Sequence, residues 1–158
     1  MSVASIQSHD DLRDLYRELI LDHSRNPRHF GKLSEATHIA DGINPLCGDK
    51  LRIYLRIESG QIRDASFEGV GCAISVASAS LLTDIVIGLP EQTALEYFAA
   101  TVSRLTAGEP AHRDIGALQK LHALDGVREF PARIKCATLP WHALRSALSE
   151  QDTPATTE

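Results

Sequence analysis

The segment Lys50-Leu51-Arg52-Ile53-Tyr54-Leu55-Arg56-Ile57-Glu58 decides the fold class. Leu51, Ile53, Leu55 and Ile57 alternate with Lys50, Arg52, Tyr54, Arg56 and Glu58. Successive side chains of a strand point to opposite faces, so the alternation predicts a strand with one buried and one polar face. Ser59-Gly60-Gln61 supplies a turn, and a second strand is expected over about 62–69. Two such runs across a short turn form an antiparallel hairpin.

Helical spacing lies on both sides of the hairpin. Leu12, Leu15, Tyr16, Leu19 and Ile20 mark an amphipathic helix over 10–24, which Asn26-Pro27 ends. Residues 25–46 read as loop, with a short strand near 36–41. After Cys72, Ile74, Ala77, Leu81 and Ile85 predict a helix over 73–87, stopped by Gly88 and Pro90. Its small run Ala77-Ser78-Ala79-Ser80 permits close packing on the sheet. A helix over 91–107 would turn Leu95, Phe98, Ala99, Val102 and Leu105 inward, and a short helix is expected over 113–124. The last helix carries Trp141, Leu144 and Leu148. Proline is tolerated only in a first turn, so Pro140 starts that helix near Cys136. Helix, small sheet, then helices is an α+β plan, with an antiparallel sheet of about three strands packed against several helices.

The chain has 158 residues, 43% hydrophobic and 23% charged, which fits one globular domain over 1–150. Residues 151–158 are small and polar and read as a disordered tail. A net charge of −5 argues against a nucleic-acid partner. The start has no leader pattern and no apolar run approaches a bilayer span, so a cytoplasmic protein with no membrane contact is expected.

Three cysteines, Cys47, Cys72 and Cys136, exclude a closed disulfide framework, and no Cys-x-x-Cys pair occurs. Taken singly, each is as readily a small buried hydrophobe. Their placement argues otherwise. Cys47 precedes the first hairpin strand and Cys72 follows the second, so the hairpin brings them to one end of the sheet. Cys72 and Cys136 both fall at expected helix starts, where the helix dipole favours thiolate. Asp49 stands two residues from Cys47, and Gly48 between them allows the backbone to bend. Three sulfurs and one oxygen make a four-ligand zinc shell. Its excess negative charge could be partly offset by Arg133 and Lys135. Iron also accepts thiolates. The seven histidines have no ligand spacing and read as surface or structural residues.

The segments Asn44-Pro45-Leu46-Cys47-Gly48-Asp49, Phe67-Glu68-Gly69-Val70-Gly71-Cys72-Ala73-Ile74-Ser75 and Arg133-Ile134-Lys135-Cys136-Ala137-Thr138-Leu139 resemble the U-type iron–sulfur cluster assembly proteins. The resemblance spans roughly residues 10–148, and Leu15-Tyr16 with His23-x-x-Asn26-Pro27 adds to it. The scaffold branch, IscU and the N-terminal part of NifU, has His immediately before the last cysteine, a shorter second interval and a Leu-Pro-Pro-Val-Lys motif. This chain has Lys135, an interval of 64 positions between Cys72 and Cys136, and Glu129-Phe130-Pro131-Ala132-Arg133 at the motif's place. The extra length maps to 108–128. These features resemble the SUF branch, SufU. The resemblance implies a SufU/IscU-like fold and a zinc ion held by Cys47, Asp49, Cys72 and Cys136. It implies a SufS-type cysteine desulfurase as partner, with Cys47 leaving zinc to receive persulfide sulfur. The alternative it carries is a scaffold whose cysteines ligate iron or a 2Fe–2S cluster for delivery to apo iron–sulfur proteins. A monomer or weak dimer is expected.

Overall fold

The computed structural model describes the backbone of residues 9–107, 120–150 and 155–157, with side chains from Tyr16 onward. Helix α1 (His9–Arg25) leads through a loop into a meander of β1 (His38–Asn44), β2 (Asp49–Glu58) and β3 (Gln61–Val70). Helices α2 (Ala73–Val86) and α3 (Glu91–Ala107) follow. A 3-10 segment (Lys120–Glu129), helix α4 (Pro131–Leu148) and a two-residue strand β4 (Ala155–Thr156) complete the described chain. The architecture is α+β, and the sheet order is β3-β2-β1-β4.

The alternation in β2 does what a half-buried strand requires. Leu51, Ile53 and Leu55 are buried against the helices together with Ile62, Ala65 and Phe67 of β3. A register irregularity between Arg56 and Ile57 releases Ile57 to a partly buried position. Tyr54 departs from the simple pattern: it lies on the polar face yet is buried, and its hydroxyl donates to Glu68 Oε1. Ser59 (φ 52°) and Gly60 (φ 75°) form the two-residue β2–β3 turn. Positive φ at both central positions matches the right-handed twist of the paired strands.

Several expectations are corrected. The sheet has four strands rather than about three, and it is mixed, because β4 pairs parallel to β1 through Gly42–Ala155 and Ile43–Thr156. The terminal segment is therefore not a free tail at 155–157: the Thr157 N–H donates to the Ile43 carbonyl at 3.3 Å. Two residues cannot show an alternating pattern, so this edge pairing leaves no sequence signal. The small stripe of α2 serves neighbouring helices as well as the sheet. Ser78 Oγ donates to the Ala137 carbonyl of α4 at 2.6 Å. Ser80 Oγ accepts the Arg28 N–H at 2.8 Å and lies 2.7 Å from His23 Nδ1. On α3 the buried positions are Ala94, Ala100, Thr101 and Leu105, while Ala99 is exposed, so the inward stripe is rotated from the expected one. Of the expected helix over 113–124, residues 113–119 lie outside the described residues. The described remainder is the 3-10 segment, which buries Leu121, Leu124 and Val127.

The last helix begins at Pro131, not near Cys136. Pro131 occupies its first turn, where a missing N–H is harmless. Pro140 is interior. Its absent N–H is the one that would have bonded the carbonyl of Cys136, four residues earlier. Tertiary packing overrides this local penalty: Leu139, Trp141 and Leu144 are fully buried on both sides of the proline. Close approach does the rest. A Cβ on Gly42 of β1 would stand 3.2 Å from Ala143 Cβ and Leu139 Cδ1, so α4 lies directly on β1.

Candidate metal centre

Strand β1 ends at Asn44 and β2 begins at Asp49, and these two residues pair across the ladder. Between them run Pro45, Leu46, Cys47 and Gly48, all exposed. Gly48 has φ 72°, the left-handed conformation that closes this turn and that glycine adopts without strain. Asn44 and Asp49 at its base are buried, so an exposed turn stands on two buried polar side chains.

Cys47, Asp49 and Cys136 each offer one ligand atom within 4.8 Å of the others. Cys47 Sγ and Cys136 Sγ are 3.5 Å apart, although 89 positions separate them. Cys47 is exposed and Cys136 is fully buried. Asp49 is 1% exposed, and its oxygens differ. Oδ1 accepts the Cys72 N–H at 2.8 Å, while Oδ2 is buried without a hydrogen-bond partner. A buried carboxylate oxygen with no donor is costly unless a cation meets it. Two sulfurs beside this carboxylate suit zinc, which takes thiolate and carboxylate ligands. The residues present therefore fit a bound divalent ion.

Cys72 falls outside the 4.8 Å group but borders it. It is the N-cap of α2, with its carbonyl accepting the Val76 N–H and Ser75 Oγ. The positive end of that helix faces the centre. Close backbone passage makes the position possible. Gly69 (φ 137°) lies so near β2 that a Cβ would overlap the Lys50 carbonyl. A Cβ on Gly71 would overlap Ser75 Oγ and stand 3.1 Å from Asp49 Oδ1.

The electrostatics differ from the sequence expectation at Cys136. It sits in the second turn of α4, so the helix N-terminus does not favour its thiolate. Burial pushes its thiol well above the ordinary cysteine range, and the neighbouring Asp49, Cys47 and Cys72 side chains push the same way. Arg133 faces the sulfurs: the Cys136 side chain, then the charges of Cys72 and Cys136, raise its pKa. Lys135 does not join it and lines a separate cleft with Thr138 and His142. Sequence reasoning also missed Asn44, whose Nδ2 lies 3.7 Å from Cys136 Sγ. A short polar residue beside a proline reads as a turn residue, and only the ladder register reveals its burial.

Three large exposed apolar side chains, Leu46, Val70 and Phe130, flank the cysteine-bearing segments. His23 is elsewhere. It is buried between α1 and α2, and burial lowers its pKa. No helix among the described residues is long and apolar enough to cross a membrane.

The model for the NifU-like N-terminal domain matches residues 15–150. The zinc-dependent sulfurtransferase SufU of Bacillus subtilis is 41% identical over 90% of this chain and 95% of its own length. The iron–sulfur cluster assembly scaffold protein IscU of Thermotoga maritima is 38% identical over 89% of this chain and 96% of its own. The crystal structure of FiSufU from Fervidobacterium islandicum AW-1 matches with a TM-score of 0.77 at 34% identity, over 83% of this chain and 94% of that one. A NifU-like N-terminal structure from Brucella abortus gives 0.78 at 25% identity, over 90% and 99%.

Proposed function

Because the chain belongs to the NifU-like N-terminal domain family, we propose that it serves iron–sulfur cluster assembly as a zinc-dependent sulfur acceptor. The observation that carries this reading is the asymmetry of the centre. One sulfur, Cys47, is reachable on an exposed turn 3.5 Å from a fully buried sulfur, Cys136, beside an unpartnered carboxylate oxygen. Cys47, Asp49, Cys72 and Cys136 would hold the ion, with Arg133 offsetting their charge. Zinc, when bound, would hold Cys47 as a thiolate and supply no redox chemistry.

In this reading Cys47 is the group that reacts. Its thiolate attacks the terminal sulfur of a persulfide carried by a cysteine desulfurase. A new S–S bond forms on Cys47, the old one breaks, and the donor cysteine leaves as thiolate. Asp49, Cys72 and Cys136 remain in place. The apolar side chains of Leu46, Val70 and Phe130 give a partner protein an unpolar rim around the reacting turn. A SufS-type desulfurase is the proposed donor and the cytoplasm the proposed setting.

A second reading rests on the IscU-named relatives at 38–40% identity: a scaffold on which the same residues ligate iron or a 2Fe–2S cluster for apo-proteins. Lys135, in place of the scaffold branch's histidine, favours sulfur transfer. Metal analysis with an absorption spectrum separates the two. About one equivalent of zinc in colourless protein supports sulfur transfer, and visible charge-transfer bands from iron support the scaffold. With desulfurase, cysteine and reductant, sulfide release should rise, and Cys47→Ala should abolish the rise. Equal stimulation by Cys47→Ala would overturn the transfer mechanism.

A further inference from the structure

We infer that Asn44 is a positioning residue that fixes Cys136 as the permanent ligand and so leaves Cys47 as the one that exchanges. The inference rests on the metal-binding reading above. Asn44 and Asp49 are the paired feet of the Cys47 turn, both buried, one from each strand. Asp49 turns a carboxylate into the centre. Asn44 turns an amide N–H toward Cys136 Sγ, at 3.7 Å. The opposite amide orientation would set Oδ1 against a thiolate, two acceptors facing each other, so a metal-bound Cys136 favours the donor orientation.

The two sulfurs at 3.5 Å are thus supported unequally. Cys136 is fully buried, and Asn44 and Arg133 are directed at it. Among the described residues no amide donor is directed at Cys47 Sγ, and the residue is exposed. An N–H donated to a metal-bound thiolate draws charge from sulfur, orients it and holds it in place. The ligand lacking that support is the one a partner displaces. Backbone geometry links the two cysteines to the same residue. The Asn44 carbonyl accepts the Cys47 N–H at 3.3 Å at the base of the turn, while the Asn44 side chain is directed at Cys136.

The test loads the full chain with Co2+ and compares wild type, Asn44→Asp and Asn44→Leu. Both variants keep the shape of the side chain and remove the donor, one adding a charge and the other none. Sulfur-to-cobalt charge-transfer bands should move to lower energy in both, because the undonated sulfur gives up electrons more readily. Cobalt retention against a chelator should fall roughly 10–100-fold, the usual effect of removing a partner that supports a ligand. Asn44→Ser, which retains a short donor, should fall between. The shift should persist in a Cys47→Ala background. Unchanged bands in both variants would overturn the inference and leave the metal-binding reading intact. Loss of the shift in the Cys47→Ala background would also overturn it, by assigning the hydrogen bond to the wrong sulfur. A wild-type protein that binds Co2+ without thiolate bands would overturn the metal-binding reading itself.

Discussion

Replacing Asp49 by Asn should change the metal-free and zinc-loaded proteins in opposite directions. Asp49 is 1% exposed, with one oxygen bonded to the Cys72 N–H at 2.8 Å and the other unpartnered. Asn keeps an acceptor for the Cys72 N–H but makes it neutral. A hydrogen bond to a charged group is worth about 1.5–3 kcal/mol and a neutral one about 1, so the loss is about 0.5–2 kcal/mol. Against this, the variant removes a buried charge with an unsatisfied oxygen, whose penalty is several kcal/mol. The metal-free variant should therefore be at least as stable as wild type in urea at pH 7. Loss of a ligand should weaken zinc by no less than the ~100-fold that losing a ligand's support costs. That is about 2.8 kcal/mol, and the stabilisation zinc confers should shrink by that amount at free zinc well above both dissociation constants. Paired urea titrations with and without zinc measure both quantities. A variant that is destabilised without metal and keeps its zinc-dependent gain would show that Asp49 is only a structural cap for α2.

Other outcomes follow from the same geometry. Gly71→Ala, whose Cβ would overlap Ser75 Oγ and crowd Asp49 Oδ1, should weaken zinc retention about 10-fold with a small change in urea midpoint. The double variant with Ser75→Ala should recover part of the loss in chelator competition. Gly69→Ala combines φ 137° with overlap of a backbone carbonyl and should destabilise by about 3 kcal/mol or more in denaturant unfolding. His23 has a folded pKa lowered by burial, so the unfolded chain binds more protons below about pH 6.5. Stability should be full above that pH and fall as pH drops below it. His23→Gln, measured in parallel at each pH, should flatten that slope.

What was legible from sequence is what local pattern records. The Leu51-Ile53-Leu55 alternation specifies the strand and its face, and the hairpin alone places Cys47 and Cys72 at one end of the sheet. What was hidden depends on distant partners. Pro140 argued for a helix start beside Cys136. The chain accepts a proline in the helix interior because Leu139, Trp141 and Leu144 are buried around it. That moved Cys136 into the second turn and transferred its support from a helix end to Asn44 and Arg133. Tyr54 alternates like a surface residue and is buried through its bond to Glu68 on the neighbouring strand. Strand β4 pairs two small residues, Ala155 and Thr156, with an edge formed more than a hundred positions earlier.

The most direct test of the central claim is to locate the transferred sulfur. Zinc-loaded protein is mixed with a SufS-type desulfurase and cysteine, free persulfides are capped by alkylation, and cysteine peptides are read by mass spectrometry. The account predicts one added sulfur atom on the peptide containing Cys47, with Cys72 and Cys136 unmodified and zinc retained. Added sulfur on Cys72 or Cys136, or none on Cys47 while sulfide release is stimulated, would contradict it.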